Sequence, residues 1–334
     1  MSAFVWTFVA VVLTAFVADF FYRRFASGRI RKIIEDVPTF AAIPTPPSPD
    51  VEVIRIPTED NSFLEGCLHL PETDPAGLVL FCPELNGNHW TALHYGRALI
   101  DAGFAVLAFD FRNQGGSDCR EDYAPIHWVT EFELSDIRAV LDFAETEPKT
   151  KDLPIGIFGV SRGGSAALTA ACRFPEIRAV VTDSGYGTMA LIRHFMNKFS
   201  RFVVPDWFFS RLPDWHIDIV LRQALKRSER LRNCRYVHLD REARDSARVP
   251  HLLISGRRDS YVAPAVTENI ADILGCSDSV WIVEKAKHNK SRDRSPEEYD
   301  RRLVDHFRQH LPSDDSKAAE PDDRSHVPTP QQTT

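Results

Sequence analysis

The sequence predicts an α/β protein built on a mostly parallel, eight-stranded sheet with helices on both faces. Between about residues 51 and 311, short runs rich in β-branched and aromatic residues alternate with longer runs of helical composition. The strand-like runs are largely apolar, as expected of strands that are covered on both faces. An apolar share of 43% is ample for a core of this size, and a formal net charge of -7 argues against nucleic acid as a partner.

The eight predicted strands are, in chain order, VEVIRI, FLEGCLHL, GLVLFC, FAVLAFD, PIGIFG, RAVVTD, HLLISG and VWIVEK. Helices are predicted at WTALHYGRALIDAG, VTEFELSDIRAVLDFAETE, SRGGSAALTAACRF, PAVTENIADILG and SPEEYDRRLVDHFRQHL. In the last helix, Ser295 and Glu298 form a capping-box pattern and Pro296 takes the first helical position. After the sixth strand, residues 184–249 are too long for a loop and predict an inserted helical cap.

The first residues form a segment of their own. The run from Ala3 to Tyr22 is almost wholly apolar and, as a helix, would be roughly 30 Å long, about the thickness of one bilayer core. Its only charge is Asp19, and the basic residues that follow the run are Arg23, Arg24, Arg29, Arg31 and Lys32. Residues 1–32 are therefore predicted to be a transmembrane anchor, with the domain that follows on the cytoplasmic side.

A cleaved signal peptide, followed by export, is the alternative for this segment. A signal peptide begins with basic residues and ends with small ones, whereas this run starts without a basic residue and ends with Phe20, Phe21 and Tyr22. The proline-bearing residues 33–50 are predicted to be a semi-rigid spacer that lifts the domain off the membrane, and residues 312–334 a disordered tail. The six cysteines are dispersed without metal-ligand spacing, so no metal or other cofactor is expected.

The stretch GVSRGG holds the strongest candidate for a catalytic residue. It joins a predicted strand to a predicted helix and places Ser161 between glycines two positions before and two positions after it. A serine nucleophile at a strained strand-to-helix corner needs such glycines, because neighbouring backbone passes close by. A plain glycine turn would explain the same pattern, so the decision depends on whether a base and an acid follow.

A base and an acid follow Ser161 in the expected order. Asp259 follows the seventh predicted strand and His288 the eighth, so both lie at the carboxyl edge of the sheet, where open α/β sheets gather their functional residues. Asp183, at the end of the sixth strand, is the alternative acid. Other histidines are weaker candidates for the base, namely His194, His216, His238, His251, His306 and His310.

With these residues in place, residues 51–311 resemble an α/β-hydrolase, and within that superfamily they are similar to the serine aminopeptidase-like (Bem46-like) group. The stretches GVSRGG, GRRDSYV and KAKHNK carry the resemblance. So does GRALIDAGFAVLAFDFRNQGGSD, whose Asp-x-Arg-type turn is represented by Asp110, Arg112, Gly115 or Gly116, and Ser117. The resemblance implies Ser161 as nucleophile, His288 as general base and Asp259 as the acid that orients it.

The predicted oxyanion hole departs from the pattern of many relatives. The fold uses the backbone N–H of the residue after the nucleophile, here Arg162, and a second N–H from the loop after the third strand. Many relatives begin that loop with His-Gly, but this chain has CPELNGN, which makes Leu85 the second candidate donor. Glu84 is either a solvated loop acid or a pocket residue, and the first interpretation is favoured.

The cap combines aromatic and cationic residues and could line an apolar pocket with a cationic rim, suited to an acyl chain that carries an anionic group. The aromatic residues are Trp207, Phe208, Phe209 and Trp215, and the cations are Arg193, Arg201, Arg211, Arg222 and Arg227. Packing within the cap, or contact of the arginines with anionic lipid, explains the same composition at least as well.

Together these features predict a membrane-anchored serine hydrolase that acts on a small or lipid-like acyl substrate with an ester, thioester or amide bond. An acyltransferase would use the same three residues, and a catalytically silent, membrane-tethered binding module is the alternative outside the enzymes.

Overall fold

The computed structural model describes residues 3–36, 41–199, 211–244 and 249–311. Its centre is a single eight-stranded sheet. The strands are β1 (Val53–Pro57), β2 (Phe63–His69), β3 (Leu78–Cys82), β4 (Ala105–Phe109), β5 (Ile155–Val160), β6 (Ile177–Asp183), β7 (His251–Gly256) and β8 (Val280–Val283). All eight predicted strands are present, with ends that differ by a few residues at most.

The strand order is β1-β2-β4-β3-β5-β6-β7-β8. Strand β2 is antiparallel to both of its neighbours, and the strands from β4 through β8 in this order are parallel. The carboxyl ends of β3, β5, β6, β7 and β8 therefore meet at one edge of the sheet. The loops that follow them bring together residues that are far apart in the sequence.

Two helical layers cover the sheet. The helices are α1 (Ala3–Glu35), α2 (Ala92–Asp101), α3 (Glu131–Thr146), α4 (Arg162–Arg173), α5 (Thr188–Phe199), α6 (Asp214–Arg232), α7 (Leu239–Glu242), α8 (Pro264–Leu274), α9 (Ser291–Arg294) and α10 (Pro296–His310). Helices α2 and α10 share one apolar core with the sheet, and α3, α4, α6 and α8 share the other. The predicted mostly parallel sheet with helices on both faces is confirmed.

The starts of two helices differ in how they are capped. At α3, Thr130 and Glu133 form a complete capping box, in which each side chain bonds the backbone of the other residue. At α10, Pro296 takes the first turn as predicted, but the Ser295 side chain makes no capping bond. The capping box predicted there is wrong, because Glu298 pairs instead with arginines one turn further along the same helix.

Three helices, α5, α6 and α7, occupy the described part of the stretch between β6 and β7. Of the residues singled out in this cap, Arg201, Trp207, Phe208 and Phe209 lie outside the described residues. Trp215 is exposed and so does not pack inside the cap. Arg193 is paired with Asp218, and Arg227 bonds the backbone of α1, so these two cations serve contacts within the protein.

The N-terminal segment differs from expectation in its second half. Helix α1 continues through Lys32 to Glu35, and its side chains Ile30 and Ile34 are buried against the domain. The indole N–H of Trp128 donates to the Ile34 carbonyl oxygen at 3.1 Å. In the predicted spacer, Ile43 also packs against the core around α2. The C-terminal end of the helix and the segment around Ile43 therefore contact the domain, so these parts do not hold it away from the anchor.

Candidate active site

Ser161 lies at the corner between β5 and α4. Its backbone has φ 51° and ψ -116°, in the region that favours glycine, and such strain in a serine persists only where the surrounding structure enforces it. A methyl group at Gly163 would overlap the carbonyl oxygens of Cys82 and Pro83, so the first turn of α4 lies directly against the end of β3. The corner raises the serine hydroxyl above the carboxyl edge of the sheet.

The structure brings Ser161, His288 and Asp259 together. The Oγ atom of Ser161 lies 2.9 Å from Nε2 of His288, and Nδ1 of the same ring lies 2.7 Å from Oδ2 of Asp259. With a proton on Nδ1, the imidazole donates to the carboxylate and its Nε2 accepts from the serine hydroxyl. This arrangement can take a proton from Ser161 during attack on a carbonyl carbon.

Asp259 is fixed from two sides. Its Oδ1 accepts hydrogen bonds from the backbone N–H groups of Tyr261 and Val262, each at 2.8 Å, so that Oδ2 is left for His288. The ring of Tyr261 meets the His288 ring edge-on at 5.3 Å between centroids. These contacts fix the position of the carboxylate and restrict the rotation of the imidazole.

Asp183, the alternative acid, has different partners. Its Oδ1 accepts from the Ser291 hydroxyl at 2.9 Å and from the Ser184 hydroxyl at 3.1 Å. No hydrogen bond joins it to His288 within the described part of the chain. Burial raises the pKa of Asp183 to about 6, even though these hydroxyl groups favour its charged form.

The two candidate oxyanion donors lie on adjacent segments. Arg162 is the first residue of α4, and Leu85 is half-buried in the turn that follows β3. Among the described residues, neither of their N–H groups has a hydrogen-bond partner. The first N–H groups of a helix also favour a neighbouring negative charge, as an oxyanion would provide.

Glu84 is buried, so the favoured interpretation of a solvated loop acid is wrong. Only 3% of its surface is exposed, because the turn folds back and the Gly87 N–H donates to the Glu84 carbonyl oxygen at 2.9 Å. Burial raises the pKa of its carboxyl group, while nearby backbone N–H groups, the Thr91 hydroxyl and His288 act in the opposite direction. The turn that carries Leu85 is thereby fixed to the protein interior.

The Arg162 side chain forms a buried network that sequence reasoning missed. Its guanidinium bonds Glu133 at 2.5 Å, and both side chains are essentially unexposed. The Tyr123 hydroxyl donates to Glu133 at 2.6 Å and accepts from Arg162 at 3.1 Å. Glu133 also completes the capping box at Thr130. The T-x-x-E signature of that box is visible in the sequence, but its partner 29 positions later in the chain is not.

The remaining histidine candidates have other positions or partners. His251 is the first residue of β7 and so lies at the opposite edge of the sheet, and the His306 and His310 rings contact each other on α10. His216 is paired with Asp19 of α1. His194 belongs to α5, and His238 precedes α7.

The Asp-x-Arg turn serves the fold. Asp110 accepts from the His89 N–H and the Gly116 N–H, and the Ser117 hydroxyl donates to the Asp110 carbonyl oxygen. Arg112 is paired with Asp136 at 2.6 Å. Glu65, His89 and Asp110 are close enough to hold a metal ion, but both oxygens of Asp110 already accept hydrogen bonds from the chain.

Residues 77–214 match the family model of the α/β-hydrolase fold. This range includes the corner at Ser161 and agrees with the observed sheet and helices. The chain therefore has the α/β-hydrolase fold. An esterase of Pyrococcus furiosus superposes with a TM-score of 0.58 at 22% identity, covering 82% of this chain and all of that one. An α/β serine hydrolase of Xanthomonas campestris, described as lacking a lid, has a TM-score of 0.52 at 18% identity, over 81% of this chain and 99% of that one. At these identities the similarity shows the fold alone.

Among curated proteins, one from Mycobacterium tuberculosis carries a provisional phosphoribosyl transferase name. It is 31% identical over 153 residues, which are 45% of this chain and 32% of that protein. The chain thus spans about a third of the length of the first curated relatives that it matches.

Proposed function

We propose that the protein is a serine hydrolase that cleaves an ester, thioester or amide bond through an acyl-enzyme intermediate. One observation carries the proposal: Ser161, His288 and Asp259 are joined by hydrogen-bonding distances of 2.9 and 2.7 Å in an order that suits proton transfer. The esterase and the serine hydrolase that share the fold support the same reaction class. This chemistry requires no metal or organic cofactor.

In the acylation step, Ser161 Oγ attacks the carbonyl carbon while His288 Nε2 takes its proton. The carbonyl oxygen becomes an oxyanion that accepts from the N–H groups of Arg162 and Leu85. Asp259 stabilises the imidazolium, which then protonates the leaving group as the bond to it breaks. Water attacks the acyl-enzyme with the same base, and the acid is released as Ser161 regains its proton.

Two alternatives differ from hydrolysis at identifiable points. An acyltransferase would share the first half-reaction and pass the acyl group to an acceptor other than water. A silent binding module would not react at all, and the hydrogen-bonded triad geometry disfavours it. The phosphoribosyl transferase name belongs to a relative of which the match covers 32%, so it does not define the activity proposed for this chain.

A substrate panel tests the proposal. The full-length protein is assayed with acyl esters, thioesters and aminoacyl amides of increasing chain length, beside Ser161→Ala and the control Ser165→Ala, whose hydroxyl donates to a backbone carbonyl. The proposal is supported if the wild type and Ser165→Ala hydrolyse a substrate and Ser161→Ala does not. Turnover that needs an added alcohol or amine acceptor indicates acyl transfer, and inertness towards the whole panel speaks for a binding role.

We also propose that α1 is a retained membrane anchor that leaves the catalytic domain in the cytoplasm. It is long and apolar enough to span a bilayer, with a mean hydropathy of 2.1 over its most apolar window. Cleavage after the apolar run would remove the contact between Asp19 and His216, which joins the helix to the cap. The basic residues that follow the run favour a cytoplasmic domain.

Protease access to sealed vesicles tests this orientation. A domain protected in right-side-out vesicles and digested in inverted ones agrees with the proposal, and the reverse pattern contradicts it. The N-terminal sequence of the mature protein separates a retained anchor from a cleaved signal peptide.

A further inference from the structure

Helix α1 lies along α6 of the cap. The Asp19 carboxylate is 2.7 Å from Nε2 of His216, and the Tyr22 ring stacks on the same imidazole at 5.9 Å between centroids. Further along both helices, the Arg227 guanidinium donates to the Arg24 carbonyl oxygen at 2.8 Å. The two helices therefore run side by side in the same direction, and the first turn of α6 is level with Asp19.

The apolar part of α1 defines where a bilayer would end. From residue 3 to residue 21, every side chain except that of Asp19 is exposed. At about 1.5 Å per residue this stretch measures roughly 28 Å, close to the thickness of the hydrocarbon core. Asp19 then lies at the edge of the core, and Arg23 and Arg24 lie among the lipid headgroups.

Trp215 is at the same level, at the start of α6. Its side chain is 57% exposed, and the Arg23 guanidinium lies 5.7 Å from the centre of its ring. An indole is stabilised at a membrane surface because its ring is apolar and its N–H remains hydrated. The exposed Asp214 beside it stands in the first turn of α6, where a carboxylate complements the helix dipole.

Cations surround this position and continue away from it. Arg24 and Arg29 on α1 are exposed, and so are Arg222 and Lys226, which follow Trp215 by about two and three turns on α6. Near a bilayer, such a group attracts anionic lipid headgroups within about a Debye length of the surface. The occupant that fits both the indole and these charges is therefore a bilayer that contains anionic lipid.

We propose that the first turn of α6, with Trp215 at its tip, is a second membrane-contact element that lies in the headgroup layer beside the anchor. The paired helices then hold the domain in one orientation on the bilayer, with the cap towards the lipid. The inference rests on the proposed membrane anchor, because the apolar run of α1 defines the level of the surface. It does not depend on the hydrolase activity.

Fluorescence quenching tests the contact in the full-length chain. The protein is reconstituted in vesicles of phosphatidylcholine and phosphatidylglycerol, some of whose acyl chains carry bromine near the headgroup and quench any tryptophan they touch. The variants are Trp215→Phe and, as a control, Trp281→Phe, which removes an indole that packs against Tyr299 and Arg302 in the soluble domain. Each variant removes one of six tryptophans.

If Trp215 touches lipid, its removal lowers the quenched fraction of the emission, whereas removal of Trp281 raises that fraction. A quenched fraction that stays the same or rises in Trp215→Phe overturns the proposed contact. Flotation of the vesicles separates the two possible failures. A chain that does not float with them overturns the anchor and the contact together, and a chain that floats without the expected quenching change overturns only the contact.

Discussion

His288 shares a hydrogen bond with Asp259 at 2.7 Å, whereas Asp183, another buried acid at this edge, bonds Ser291. We therefore expect Asp259→Asn to lower kcat by roughly 10³ to 10⁴, because an amide holds the imidazole in the wrong tautomer. Asp183→Asn is expected to change kcat only slightly. The measurement is kcat on the best ester of the panel, with circular dichroism to verify folding. A loss as large in Asp183→Asn as in Asp259→Asn would show that the acid is assigned wrongly.

The buried pair of Arg162 and Glu133 allows a prediction about stability. Glu133→Gln leaves the guanidinium without its charged partner, so the free energy of unfolding should fall by roughly 3 kcal/mol or more. The control Glu145→Gln removes an exposed carboxylate 3.7 Å from Arg138 and should change that energy by less than about 1 kcal/mol. Urea unfolding measures both. Equal effects would mean that the buried network does not stabilise the corner.

The same network should influence catalysis through the backbone. The backbone N–H of Arg162 is a proposed oxyanion donor. If Glu133→Gln shifts this N–H, the transition state loses more stabilisation than the bound substrate does. We expect kcat to fall while KM changes little, as measured on a short ester. A rise in KM at unchanged kcat would place the effect on substrate binding instead.

Two glycines offer a matched test of the corner. Gly163→Ala should abolish activity and reduce the folded yield, because the new methyl group overlaps the backbone at the end of β3. Gly96→Ala, within α2, meets no atom closer than 3.6 Å and should raise the free energy of unfolding by about 0.5 to 1 kcal/mol. Activity and urea unfolding of the two variants give the comparison. An active, normally stable Gly163→Ala would contradict the described approach of α4 to β3.

Buried histidines predict a loss of stability in acid. Burial lowers the pKa of His251 from 6.5 to about 4, so between these values the unfolded chain binds a proton that the folded protein does not. The stability that neutral His251 contributes is therefore present above pH 6.5 and lost as the pH falls through 4, by roughly 3 kcal/mol. His69 and His306 behave in the same way.

His251→Gln should consequently reduce the fall in the free energy of unfolding between pH 6.5 and 4 by up to about 3 kcal/mol. Urea unfolding at several pH values measures this dependence. An unchanged dependence in the variant would mean that His251 is protonated as readily in the folded protein as in the unfolded chain.

Most of the fold could be predicted because its signals are local. Apolar runs bounded by turn residues define all eight strands, and the positions of Ser161, Asp259 and His288 after β5, β7 and β8 follow from chain order alone. The parallel arrangement then places the three side chains at one edge. Neither the alternation of strands and helices nor the order of the three residues along the chain depends on details of packing.

The features that were missed depend on contacts between distant segments. The burial of Glu84 results from the way the turn after β3 folds onto the domain, and the pairing of Arg162 with Glu133 joins α4 to α3. The docking of α1 on the cap joins Asp19 to His216 across most of the chain. A sequence alone does not distinguish a charged residue that is buried with a partner from one that is exposed to solvent.

Covalent labelling by a fluorophosphonate probe tests the central claim most directly, because the probe reacts only with a serine activated by a neighbouring base. The full-length wild-type protein should gain one probe mass, located by peptide mass spectrometry at Ser161. Ser161→Ala and His288→Ala should remain unlabelled, and Ser165→Ala should label like the wild type. A folded wild-type protein that takes up no probe, or takes it up equally in Ser161→Ala, would contradict the assignment of Ser161 as the nucleophile.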